Sequence, residues 1–103
     1  MVVTAPSFDK KFLRLLRLYR RENRREAFIY LIQAAEDAKA AIAADPDAGE
    51  PYPSVYDDMV KPGRLWVYKR KYWFAYRPVT LFGPLLVGVF YETEGIQKNA
   101  RNI

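Results

Sequence analysis

Neither cysteine nor histidine occurs in the 103 residues. Without cysteine there is no disulfide framework and no thiol nucleophile. Without histidine the usual neutral-pH general base is missing, and so is the commonest transition-metal ligand. Zinc hydrolase, Ser-His-Asp and Cys-His chemistries are excluded on these grounds. Long apolar runs are lacking too. The longest, Leu85 to Tyr91, is too short to span a bilayer, and the opening MVVTAPSFDKK has no signal-peptide h-region. The expectation is a soluble, cytoplasmic chain with no membrane partner.

What is present suits one small folded domain over residues 1–103, with room for one modest core. Half the residues are hydrophobic and 16% are aromatic, far from a disordered composition. The net charge is +5, and it is segregated. Lys11 to Arg25 holds seven cations against Glu22 alone. Lys61 to Arg77 holds Lys61, Arg64, Lys69, Arg70, Lys71 and Arg77 against no acid. Glu36 to Asp58 reverses the balance, with seven carboxylates and one lysine. Such segregation steers an anionic partner, although runs of this kind also occur as solvated faces.

Taken in order, Val2 to Ala5 is a short β-compatible run that Pro6 ends. Ser7 suits an N-cap. Phe8, Phe12, Leu15, Leu16 and Tyr19 then recur at helical spacing, with Lys10, Arg14, Arg17 and Arg21 on the opposite side. Asn23 punctuates, ending one helix and capping the next; no glycine or proline enforces the break, so one bent helix is the alternative. Phe28, Leu31, Ile32, Ala35, Ala38 and Ile42 form the stripe of a second helix that ends near Ala43. Asp45 to Tyr56 is a proline-rich acidic loop. It lacks the ordered ligand spacing of a calcium site, so no metal is expected there. Asp57 to Val60 reads as a short strand or turn.

The stretch RLWVYKRKYWFAYR, residues 64–77, carries the chemistry. It reads as a β-hairpin turning near Lys69 to Lys71. Leu65, Val67, Tyr72, Phe74 and Tyr76 suit a core; Arg64, Trp66, Tyr68, Arg70, Trp73 and Arg77 form a face of cations and flat rings. Pro78 to Gly83 connects to a central strand, Leu85 to Tyr91, apolar on both faces, where Gly88 signals a bulge or close approach. A polar tail follows from Glu92, with one helical turn. The fold class is therefore α+β. A small twisted, mainly antiparallel sheet carries an N-terminal helical hairpin on one face, in the order β-α-α-β-β-β. The other face stays open to a polyanion. Lys61, Arg64, Trp66, Tyr68, Lys69, Arg70, Lys71, Trp73 and Arg77 are the candidate nucleic-acid contacts. Trp66 and Trp73 serve either as stacking platforms or as rings buried under a partner, the tail or a second copy.

This order, the opening TAPSFDKKFLRLL, the acidic loop, and KYWFAYRPV followed by PLLVGVFYE resemble the RelE/ParE family of bacterial type II toxins. The resemblance covers most of the chain. It implies a cognate antitoxin as partner, in a hetero-oligomer, with homodimerisation left open. It implies one of two activities: metal-free cleavage of mRNA on the ribosome, or inhibition of DNA gyrase without cutting anything. For cleavage, Arg64, the Lys69 to Lys71 cluster and Arg77 would stabilise phosphate charge and Tyr91 would be the late tyrosine, with no cofactor. Two departures bear on this. Trp73 follows Tyr72 where RelE-like members commonly carry arginine, and Glu92, Thr93 and Glu94 stand where a basic residue or histidine is usual. A small RNA-binding module without toxin activity is the further alternative.

Overall fold

The computed structural model describes residues 2–51 and 63–96. Its order is β1 (Val3–Thr4), α1 (Pro6–Arg21), α2 (Arg25–Ala44), β2 (Leu65–Lys69), β3 (Tyr72–Arg77) and β4 (Leu85–Tyr91). The expected strand or turn at Asp57 to Val60, the cation Lys61 and most of the tail lie outside the described residues.

The four strands form one sheet in the order β1-β4-β3-β2. β2 pairs antiparallel with β3, β3 antiparallel with β4, and β1 parallel with β4. This is the expected α+β order in a mainly antiparallel sheet, with β1 and β4 as the parallel pair. α1 packs chiefly on β4, and α2 on β2 and β3. Beyond β2, Glu50 exchanges two backbone hydrogen bonds with Trp66, each 2.8 Å, and covers that part of the edge.

α1 starts at Pro6, one residue earlier than a Ser7 cap requires. Proline's fixed φ and missing N–H suit a first helical position. The Ser7 hydroxyl instead donates to the Val87 carbonyl, 3.3 Å away, and ties α1 to β4. Asn23 ends α1 as expected, at φ 57°. Its N–H donates to Arg20 and that of Arg24 to Tyr19, at 3.1 and 2.8 Å. This pairing closes a helix through a left-handed residue, which asparagine tolerates. Asn23 does not cap α2: the N-cap is Arg24, with no side-chain hydrogen bond.

The main core lies between helices and sheet. Phe8, Tyr19, Leu31, Ala34, Ala35, Ala38 and Ile42 meet Tyr72, Phe74, Tyr76, Leu86 and Val89. Leu65 and Val67 pack against it, so the expected core face of the hairpin holds. The alanines of α2 let its backbone approach β2 and β3, whereas Ile32 turns outward at 37% exposure. On β4 the register jumps between Ala75 and Tyr76, which pair with Gly88 and Leu86, leaving Val87 unpaired. This bulge is the one that Gly88 signals. It resets the alternation, so Leu86, Val89 and Tyr91 face the helices while Leu85, Val87 and Phe90 face away.

Candidate nucleic-acid interface

The hairpin turns on Arg70 and Lys71, at φ 50° and 73°. Two consecutive left-handed residues match the twist of flanking strands. Bulky side chains pay a conformational cost there that Asn-Gly avoids, which is why the sequence gives no turn signal. Leaving the pleat also redirects Arg70. Its Nε donates to Asp37 Oδ2 on α2 at 2.7 Å, and its guanidinium lies 5.7 Å from the Tyr30 ring centre. Arg70 thus belongs to the helix side, which corrects its assignment to the open face. Lys69 shares the helix-side alternation of Leu65 and Val67, and it too leaves the set.

The far face is not bare. Trp66 is 4% exposed, tilted against Phe90 at 5.6 Å, and clustered with Ala75, Val87 and Ile96. Of the two expectations for Trp66, the structure shows burial, with Ile96 of the tail in its cluster, and corrects the stacking platform. A central strand apolar on both sides needs cover on both, and Ile96, from the segment after β4, joins the second cluster. Trp73 is half-buried at the edge of this cluster. Tyr68 is 42% exposed; its ring stands 5.1 Å from Trp73 and its hydroxyl donates to Glu92. That bond raises the Tyr68 pKa, with smaller contributions from desolvation and the Glu92 charge.

At the other end of the same face, Arg64 and Arg77 come together. β2 and β3 pair Leu65 with Tyr76, so Arg64 and Arg77 are the next residues outward on each strand. Desolvation lowers the Arg64 pKa, and the Arg77 charge lowers it further. Arg64 Nε is buried without a hydrogen-bond partner, and Arg77 is exposed. Among the described residues neither forms an ion pair with a carboxylate.

Tyr91 does not join them. It sits on the helix face, edge-on to Tyr72 with ring centres 5.3 Å apart. It pairs with Tyr72 in the sheet, whereas Arg77 pairs with Leu85 five positions along β3. At about 3.3 Å per residue that is roughly 17 Å, and on the opposite face. The Arg64, Arg77 and Tyr91 set is not assembled around one phosphate. The buried Tyr72 hydroxyl is bonded to Tyr19, and desolvation followed by that bond pushes its pKa far up.

Two features escape sequence reasoning. Lys11 Nζ bridges both oxygens of Glu94 at 3.1 and 3.0 Å and stands 4.1 Å from the Phe90 ring centre. Desolvation lowers its pKa, against the opposing pull of Glu94. Second, Arg24 and Tyr30 join Arg70, Lys71, Tyr72 and Tyr91 around one groove on the helix side. The only hint in sequence is Tyr30, an aromatic ring off the apolar stripe of α2. Among the described residues no group of acidic side chains is arranged to hold a metal, and no helix is long and apolar enough to cross a membrane. No family model matches the chain, and no curated protein matches it either.

Proposed function

We propose that this chain is the toxin component of a type II toxin–antitoxin pair, of RelE/ParE type, acting by binding its target through a basic surface. The observation that carries this reading is the Arg64–Arg77 corner. Two like charges sit side by side, one partly desolvated, with no carboxylate to offset them among the described residues. Unoffset cations at a surface are poised for an anion that supplies the missing hydrogen bonds. Half-buried Trp73 and exposed Tyr68 extend the same face. The order β-α-α-β-β-β supports the family reading, and an acidic antitoxin segment is the natural cover for such a corner.

The same arginine pair supports a second reading, ribosome-dependent mRNA cleavage, because two cations suit developing phosphate charge. The separation of Tyr91 from that pair favours binding over cutting. On the binding reading the target is DNA gyrase or an RNA surface.

Inducible expression separates these. Growth arrest that is lost in the Arg64→Ala plus Arg77→Ala variant supports the toxin reading; unimpeded growth with the wild-type chain overturns it. Transcripts mapped during arrest stay intact for a binder and are cut for a nuclease. A DNA-damage reporter rises if gyrase is the target.

A further inference from the structure

The helix side of the sheet holds a second basic site, far from the Arg64–Arg77 corner. A groove of about 570 Å³ opens between the start of α2 and the β2–β3 turn. This lies within the size range of small-ligand sites, roughly 300–1,000 Å³. Arg24, Arg70 and Lys71 line it together with the rings of Tyr30, Tyr72 and Tyr91, against one carboxylate, Glu26.

The three cations are not equivalent. Arg70 is held by Asp37 at 2.7 Å. Arg24 lies 4.8 Å from the Tyr19 ring centre and 3.7 Å from Glu22. Lys71 makes no ion pair among the described residues, and the left-handed turn, at φ 73°, sets it at the groove. The rings differ as well. The Tyr72 hydroxyl is tied to Tyr19 at 2.7 Å. Tyr30 is 48% exposed and lines the groove with the Arg70 guanidinium over its ring at 5.7 Å.

A flat ring and an unoffset ammonium lining one basic groove of this size are the recognition chemistry for a base joined to a phosphate. We propose that this groove binds one 5′-phosphorylated nucleotide, the base on Tyr30 and the phosphate on Lys71 and Arg24. The nucleotide is either free or the end of a single-stranded RNA. The inference is independent of the toxin reading, because it uses neither Arg64 nor Arg77.

The test is calorimetric titration of the full chain with adenosine 5′-monophosphate, adenosine, inorganic phosphate and a 5′-phosphorylated tetra-adenylate. The monophosphate is expected to bind more tightly than adenosine or phosphate alone. Lys71→Ala should weaken the monophosphate about tenfold and leave adenosine unchanged. Tyr30→Ala should weaken both by about tenfold. Both side chains are exposed, and circular dichroism checks that the variants fold. Arg64→Ala plus Arg77→Ala should leave monophosphate affinity unchanged, which separates this site from the sheet corner. Tighter binding of the tetra-adenylate identifies RNA as the source, and equal binding identifies the free nucleotide. Absence of saturable binding at millimolar monophosphate and tetra-adenylate overturns the proposal. So does wild-type affinity in both single variants, or preference for a poly-glutamate peptide over the monophosphate.

Discussion

The hydroxyls of Tyr19 and Tyr72 lie 2.7 Å apart in the buried core, joining the last turn of α1 to the first residue of β3. Burial and this bond hold the Tyr72 proton well above the ordinary phenol value of 10.0. Tyr76 is shifted the same way, chiefly by desolvation. Below pH 10 the folded and unfolded chains both keep these protons. Above it the unfolded chain releases them and the folded chain does not, so stability falls as pH rises. Each such group contributes a slope of up to about 1.4 kcal/mol per pH unit. Urea unfolding between pH 9 and 12 should show the decline. Tyr72→Phe should flatten it, while costing about 1 kcal/mol at neutral pH by orphaning the Tyr19 hydroxyl. An unchanged slope in that variant would place the titration elsewhere.

Element order, the Asn23 break, the core face of the hairpin and the Gly88 bulge were all legible in the sequence. Each depends on local periodicity or on one residue's backbone preference. The far face was not legible, because alternation says which side a residue takes and not what covers that side. Trp66 is covered by Phe90 and Ile96, which lie 24 and 30 residues along the chain. Arg70 was misplaced because a turn residue is free of the pleat, and its partner Asp37 lies 33 residues back. The helix-side groove joins residues from four elements or their connections, and no spacing rule links Arg24 to Lys71.

Arg64 should trade stability against binding. Its Nε is buried unbonded, and Arg77 raises the cost of its charge. Arg64→Met keeps an apolar stem over the sheet and removes the repulsion. The variant should be more stable by a few tenths to about 1 kcal/mol, a discounted figure for a partly solvated pair. It should also weaken binding to single-stranded RNA and lower the salt dependence of that binding by roughly one unit of slope. Urea midpoints and titrations at two salt concentrations check both. A destabilised Arg64→Met variant would mean that the guanidinium is satisfied in solution.

Glu94 links three parts of the molecule. Its Oε1 accepts the Tyr91 N–H at 2.7 Å, and both oxygens accept from Lys11 on α1. The pair is 19% and 23% exposed, so its charges are only partly screened. Glu94→Ala should cost about 2–3 kcal/mol, because it strands a half-buried ammonium and an amide donor. Glu94→Gln keeps an acceptor for Tyr91 and should cost about 1 kcal/mol. Adding Lys11→Met to Glu94→Gln should restore near wild-type stability, since a neutral stem still covers Phe90. A double variant no better than Glu94→Gln would show that the ammonium–ring contact with Phe90, at 4.1 Å, outweighs the desolvation of Lys11.

Gly49, in the loop that follows α2, lies tight against the sheet. Its N–H donates to the Tyr76 hydroxyl at 3.1 Å, and that hydroxyl donates onward to the Pro46 carbonyl at 2.7 Å. A Cβ added at Gly49 would stand 2.8 Å from the Tyr76 ring and 2.9 Å from the Leu65 Cβ. Tyr76 is 1% exposed in the main core and has no room to retreat. Gly49→Ala should therefore push the loop off the sheet and cost about 1–3 kcal/mol, the usual range for overpacking. The loop also carries Glu50, whose backbone pairs with Trp66, so the damage should spread to the β2 edge. Hydrogen exchange at the Trp66 amide is expected to accelerate in Gly49→Ala, while the amides of β4 keep their wild-type ranking. Wild-type protection at Trp66 in this variant would show that the loop and the strand edge are not coupled.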